Sequence, residues 1–342
     1  MNQNTHSAVP SRREPSPAGR RQLRFALIML ALLLLLLGGT WLVRYPQGYV
    51  NILLGHYVGT TSVLAGIDGF QATEEDQALL LPLQQSCDDW RQTHLGDTLT
   101  LTAPQDGLAL SGTFYDAGSP VTVIGLHGFD GSRQEAYPYL SYYADQGFNL
   151  FLPDLRSHGD SEGFLVTWGA CEGQDLLSWM DLLDEAYGPQ TYILHGQDLG
   201  ASAALWCAGD ARVAFVAAES PVLDLYDGIR YLLTERFHFP GFLMPLVDWN
   251  ARQLLPGGQS MKAFSLLDTL DGVSTPILLL SGGTDGLADP AAAAAFYEQY
   301  AGPKELIQDD GARRGMVYPR NQAETEAALD RYLEAYLPEA AS

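Results

Sequence analysis

The sequence predicts an α/β fold: a mostly parallel sheet of about eight strands with helices on both faces. Three observations predict it. From Asp97 onward, short apolar runs alternate with longer helix-compatible stretches. One run passes into a helix through the glycine-flanked turn His195-Gly196-Gln197-Asp198-Leu199-Gly200-Ala201. Between Leu223 and Ser260 the alternation breaks for a segment rich in aromatics and leucine, which reads as an inserted lid at about 223–260. A chain of 342 residues, 46% hydrophobic and 18% charged, is long enough to build such a domain and excludes disordered and collagen-like chains.

Taken in order, residues 1–24 are polar and rich in Ser, Pro and Arg, the composition of a disordered tail. Phe25 to Val43 follows without a charge over 19 residues. At about 1.5 Å per residue it just crosses a hydrocarbon core of about 30 Å, as a transmembrane helix does. Arg12, Arg13, Arg20, Arg21 and Arg24 precede it and only Arg44 directly follows. The positive-inside bias then makes it a signal anchor, with the N-terminus cytoplasmic and the body extracytoplasmic. The rival reading is a cleaved secretory signal, against which stand the length of the run and Gly38-Gly39-Thr40 where a cleavage site needs an Ala-x-Ala pattern. Residues 44–96 read as a juxtamembrane stalk, partly helical over Thr73 to Arg91 and interrupted by Pro82.

The functional domain is expected over 97–342. Strands are expected at Thr98–Thr102, Ala109–Tyr115, Val121–Leu126, Asn149–Leu152, Thr191–Leu194, Val213–Ala217, Ile277–Leu280 and Glu305–Gln308. Helices fall at Glu135–Gln146, Gly173–Tyr187, Leu199–Ala208, Ala291–Tyr300 and Gln322–Tyr336. After Arg24 the chain holds 40 acidic against 14 basic residues, a balance of −26 that repels phosphate backbones and excludes a nucleic-acid partner. Cys87, Cys171 and Cys207 are odd in number and lack C-x-x-C spacing, so they read as core residues. No metal site or cofactor is signalled.

The 195–201 turn has the spacing of a nucleophile elbow, where glycines on both flanks let a side chain stand out over the sheet. Leu126-His127-Gly128-Phe129 follows one strand, and Asp154-Leu155-Arg156-Ser157-His158-Gly159-Asp160 follows the next. With these motifs the chain resembles the α/β-hydrolase family. It is most similar to a membrane-anchored bacterial branch related to serine aminopeptidases, esterases and monoacylglycerol lipases. The resemblance implies an α/β-hydrolase fold and a carboxylic ester or peptide hydrolase acting on a small acyl-type ligand. It also implies a Ser at the elbow, an acid after a late strand, a His after the last strand, and oxyanion donors at the amides of Phe129 and Leu199.

Ser281-Gly282-Gly283-Thr284-Asp285 supplies the acid as Asp285. The other two slots depart from the family. Asp198 stands in the nucleophile slot, and Arg314 aligns with the His, while none of the seven histidines follows the last strand. Arginine stays protonated in proteins and is no base. The expectation is therefore a catalytically impaired pseudohydrolase in which Arg314 bridges Asp198 and Asp285. One alternative is an active hydrolase with Asp198 as nucleophile, as in dehalogenases and epoxide hydrolases of the superfamily, or with a non-standard base. Another is a surface scaffold or partner-binding module. His158 and Ser161 read as turn braces, His195 as a packed sheet residue, the tyrosines at 137–143 as helix packing, and the lid with His238 and Trp249 as packed on its own core.

Overall fold

The computed structural model describes residues 17–55, 68, 71–134 and 137–337. It divides into two units, Met1–Gln47 and Gly48–Ser342. Of the disordered tail expected over 1–24, residues 1–16 lie outside the described residues, and 17–24 are corrected to the first turns of a helix. Helix α1 (Pro17–Leu54) begins in the first unit and ends in the second. Its stretch Leu27–Asn51 is long and apolar enough to cross a membrane by length and composition, and Leu27 to Leu37 are solvent-exposed.

The second unit is built on eight strands: β1 (Asp97–Thr102), β2 (Ala109–Tyr115), β3 (Val121–Leu126), β4 (Asn149–Pro153), β5 (Thr191–Gln197), β6 (Val213–Glu219), β7 (Ile277–Gly282) and β8 (Lys304–Asp309). Their spatial order is β1-β2-β4-β3-β5-β6-β7-β8. The first two pairings, β1 with β2 and β2 with β4, are antiparallel and the remaining five are parallel. β3, β4 and β7 are buried along their whole length, which explains why they read as continuous apolar runs rather than alternating ones. Between them lie α3 (Tyr137–Asp145), α4 (Ala170–Tyr187), α5 (Leu199–Trp206) and α9 (Pro290–Gln299), and after β8 come α10 (Val317–Arg320) and α11 (Gln322–Tyr336).

One expectation is corrected. The helical part of the expected stalk is α2 (Glu74–Thr93), which belongs to the domain core: Leu83 and Cys87 are buried beside Tyr139, Leu140 and Tyr318. Leu80, Leu83, Cys87 and Trp90 make one apolar stripe. A capping box starts the helix, with the Asp76 amide donating to the Thr73 hydroxyl and the Thr73 amide to Asp76. The assigned helix continues through Pro82. The lid between β6 and β7 contains α6 (Leu225–Tyr231), a π-helical turn Leu232–Arg236, a 3-10 turn Gly241–Leu243, α7 (Met244–Ala251) and α8 (Leu266–Thr269). Leu232, Leu233, Met244 and Val247 form its buried side. All three cysteines are buried and unbridged.

Candidate active site

The elbow between β5 and α5 places Asp198 at φ 55° and ψ −110°. Such a conformation is strained for a residue with a side chain and persists only where the surroundings fix it. The turn is tight enough that a Cβ on Gly200 would lie 2.5 Å from the Leu126 carbonyl oxygen, and one on Gly196 would overlap the Gly200 backbone. α5 therefore packs against the ends of β3 and β5, and the Asp198 carboxylate is held over the C-terminal edge of the sheet, fully buried.

Two groups meet it there. The Phe129 amide donates to Asp198 Oδ2 at 2.9 Å. Arg314 donates to the same oxygen from Nε at 2.9 Å and from Nη2 at 2.8 Å, and Nη2 also donates to the Phe129 carbonyl. The Phe129 amide, expected as an oxyanion donor, is thus occupied by the protein's own carboxylate. Burial pushes the Asp198 carboxyl above its ordinary pKa, while Arg314 and the amides of Phe129 and Leu199 oppose the rise.

Arg314 does not bridge, which corrects the expected three-member ion network. Asp285 has no ion pair with it among the described residues. Asp285 Oδ1 instead accepts from the amides of Leu287 at 2.7 Å and Ala288 at 2.9 Å. The acid lies at the start of a turn whose amides already neutralise one oxygen, so the arginine pairs with the carboxylate that has fewer donors. Burial raises Asp285 to about 6, helped by the negative charge of Asp198.

Glu219 is a site residue that the sequence reading missed. It ends β6 in register with Gln197, is fully buried, and accepts the Val317 amide at 2.7 Å, thereby fixing the loop that carries Arg314. Burial first, then the Val317 amide working against it and the charge of Asp285 working with it, leave Glu219 at about 7. The available signal was a carboxylate closing an apolar run at the C-terminal end of a parallel strand, where α/β sheets place their sites. Asp198 Oδ1, Glu219 Oε2, Asp285 Oδ2 and Ser220 Oγ are all buried without a hydrogen-bond partner of good geometry. Three carboxyls and the Arg314 guanidinium thus share a site at the C-terminal end of the sheet, where Arg236 also donates to the Asp285 carbonyl at 2.8 Å.

The remaining residues are braces. His127 Nδ1 lies 2.8 Å from the Gly128 carbonyl and Nε2 accepts the Leu155 amide, so its ring ties the β3 loop to the β4 loop. His158 Nε2 accepts the Asp130 amide, and the Ser161 hydroxyl donates to the Asp154 carbonyl. His195 lies buried against Tyr143, and burial lowers its pKa to about 3. Tyr139 donates to Gln197 at 2.7 Å. Tyr137 lies where side chains are not described. A cavity of about 380 Å³, lined by Val222, Leu223, Leu287, Ala288 and Phe296 among others, lies beyond the acid turn. No metal-binding group of His, Cys, Asp or Glu occurs among the described residues.

Comparison with known proteins places this geometry in context. Residues 123–335 match the model of the alpha/beta hydrolase family. The Bacillus subtilis protein YqkD is 26% identical over 221 residues, covering 63% of this chain and 72% of its own. A thermostable monoacylglycerol lipase of Bacillus sp. H-257 is 30% identical over 100 residues, covering 28% of this chain and 38% of its own. Among solved structures, the Pyrococcus furiosus esterase Pf2001 superposes with a TM-score of 0.58 at 24% identity, over 71% of this chain and 93% of the esterase. Est1E of Butyrivibrio proteoclasticus with ferulic acid bound gives 0.53 at 16% identity, over 70% of this chain and 99% of Est1E, a likeness of fold alone.

Proposed function

The chain belongs to the alpha/beta hydrolase family, and on that premise we propose that it is a pseudohydrolase, held outside the cytoplasmic membrane by its N-terminal helix, that takes a small acyl-type ligand without turning it over. One observation carries the reading: the Asp198 carboxylate sits on the Phe129 amide and is clamped there by two Arg314 donors. A tetrahedral oxyanion would need that amide, and a serine nucleophile would need a base where Arg314 stands. Both positions are filled by one internal ion pair. The cavity beyond Asp285 supplies apolar walls for an acyl chain.

A second reading takes the unpartnered Asp198 Oδ1 as a nucleophile. The resulting ester would have to be released by water. His127 and His158 each accept a backbone amide through Nε2, which leaves the raised carboxyls of Asp285 and Glu219 as titratable candidates for a base. The test is hydrolysis of short p-nitrophenyl esters and haloalkanes by the full-length protein, beside Asp198→Ala and the double change Asp198→Ser with Arg314→His. We expect a silent wild type and an esterase in the double variant, since a serine would clear the amide and a histidine would supply the base. Wild-type turnover abolished by Asp198→Ala would overturn this and establish the carboxylate nucleophile.

A further inference from the structure

The second unit leaves several large apolar side chains in solvent, three of them aromatics on the lid and on the loop at 164–166, and both of these border one segment. Phe242 is 81% exposed, Phe164 56% and Trp249 51%. The segment is Tyr49 to Gly55, the first residues of the unit. The Tyr49 ring stands edge-on to Phe237 and Phe239 of the lid, with centroids 5.6 and 5.1 Å away. Gly55 pairs with Leu165 in an antiparallel bridge, next to Phe164, and the Val166 amide donates to the Leu54 carbonyl at 2.7 Å. Phe242 follows Phe239 by three residues. Trp249 follows Phe242 by seven, two helical turns on, with exposed Pro245 and half-buried Leu246 between them. α7 and the 3-10 turn before it are therefore apolar on both sides: Met244, Val247 and Ala251 are buried, and Phe242 of the turn, half-buried Leu246 and Trp249 form an outward stripe.

Charge narrows what such a stripe can meet. Residues 223–260 contain three basic and four acidic side chains, so the lid is nearly neutral in a chain whose part after Arg24 carries −26. A nearly neutral patch exposing Trp and Phe is the composition that settles at the headgroup level of a bilayer, where aromatic rings have their preferred place. Chain length supplies the approach. Five residues separate the end of the apolar run at Val43 from Tyr49, so chain length keeps Tyr49 within about 20 Å of that end.

We propose that Phe164, Phe242 and Trp249 form a docking face for the phospholipid surface of the membrane that the Phe25–Val43 segment crosses. This rests on the anchor reading above. The lid then lies against lipid, and its outward stripe is covered by headgroups and the first acyl carbons.

The experiment uses the full chain in phosphatidylcholine vesicles, with nitroxide labels on introduced cysteines in Phe242→Cys and Phe164→Cys. Leu95→Cys, exposed just before β1, is the water control, and Leu32→Cys in the apolar run is the lipid control. The native cysteines are buried, and the unsubstituted chain treated alike gives the background. Collision with a water-soluble nickel chelate should be several-fold lower at 242 and 164 than at 95, and lowest at 32. If 242 and 164 are as accessible as 95 while 32 stays shielded, the docking face is refuted and the anchor stands. Access at 32 equal to that at 95 would remove the anchor and the docking face together.

Discussion

Two buried arginine–aspartate pairs invite comparison. Beside β4, Arg156 grips Asp175 with a fork, Nε to Oδ2 at 2.6 Å and Nη2 to Oδ1 at 2.7 Å, and its third nitrogen reaches Asp106 at 2.8 Å. Gln105 adds a further donor to Oδ1, so no oxygen of Asp175 is left bare. At the elbow, by contrast, three donors crowd onto Oδ2 of Asp198 while Oδ1 has none. The first pair has the planar bidentate geometry that makes arginine–carboxylate contacts strong. The second is surrounded by carboxyl oxygens with nothing to accept, as expected where side chains are placed for chemistry rather than for cohesion. The difference separates a pair whose donors and acceptors are matched from one, at the elbow, that leaves an acceptor bare.

The comparison breaks most easily at the arginines. Arg156 is 3% exposed by side chain, so Arg156→Ala strands a buried carboxylate and should cost about 3–5 kcal/mol. Arg314 is 12% exposed, so water can enter beside Asp198 once the guanidinium is removed. Arg314→Ala should cost about 1–3 kcal/mol by the same reasoning. Urea unfolding of the two variants side by side checks the order, and an equal or larger loss at Arg314 would erase the distinction.

The next effect is a pH dependence at the elbow site, read as the difference between the wild type and one variant. The pKa of Glu219 is raised from 4.5 in a free side chain to about 7 in the folded protein. A raised carboxyl binds its proton more tightly when folded, so its contribution is fully present below the unfolded pKa and is lost as pH rises through the folded one. Glu219→Gln mimics the protonated form. The variant should match the wild type near pH 5 and exceed it above pH 8 by on the order of 1–3 kcal/mol. Subtracting the two cancels His195, whose lowered pKa acts in the opposite direction as pH falls below its unfolded value. A stability gap that stays flat from pH 5 to 8 would mean that Glu219 is not protonated in the folded protein.

Much of this was legible before any coordinates. The strands were visible because β3, β4 and β7 are buried on both faces, and the elbow because its glycines sit where the backbone crowds. The Asp198–Arg314 contact was foreseeable because two slots changed together to opposite charges. The bridge to Asp285 was not, since the Leu287 and Ala288 amides that claim its oxygen come from local turn geometry. Glu219 was hidden for a related reason: a single acid closing an apolar strand looks like an exposed strand end until the neighbouring loop covers it. The placement of α2 was missed because its apolar stripe is intermittent and its partners, Tyr139 and Tyr318, lie far along the chain.

The smallest expected effect bears most directly on what the elbow pair is for. Asp175→Asn would leave Arg156 buried with an amide where its fork needs two acceptors, and the loss should approach that of Arg156→Ala. Asp198→Asn is different. The amide oxygen can take the place of Oδ2 and still accept from Phe129 and Arg314, while the new NH2 takes the place of the bare Oδ1 among unpartnered carboxyl oxygens. A donor is gained as a charge is lost, so stability should change by less than about 1 kcal/mol in either direction. Thermal unfolding of the two asparagine variants together provides the test. Equal and large losses would make the elbow pair a structural tie like the one beside β4. A near-silent Asp198→Asn would mean that the carboxylate's charge is not needed for the fold.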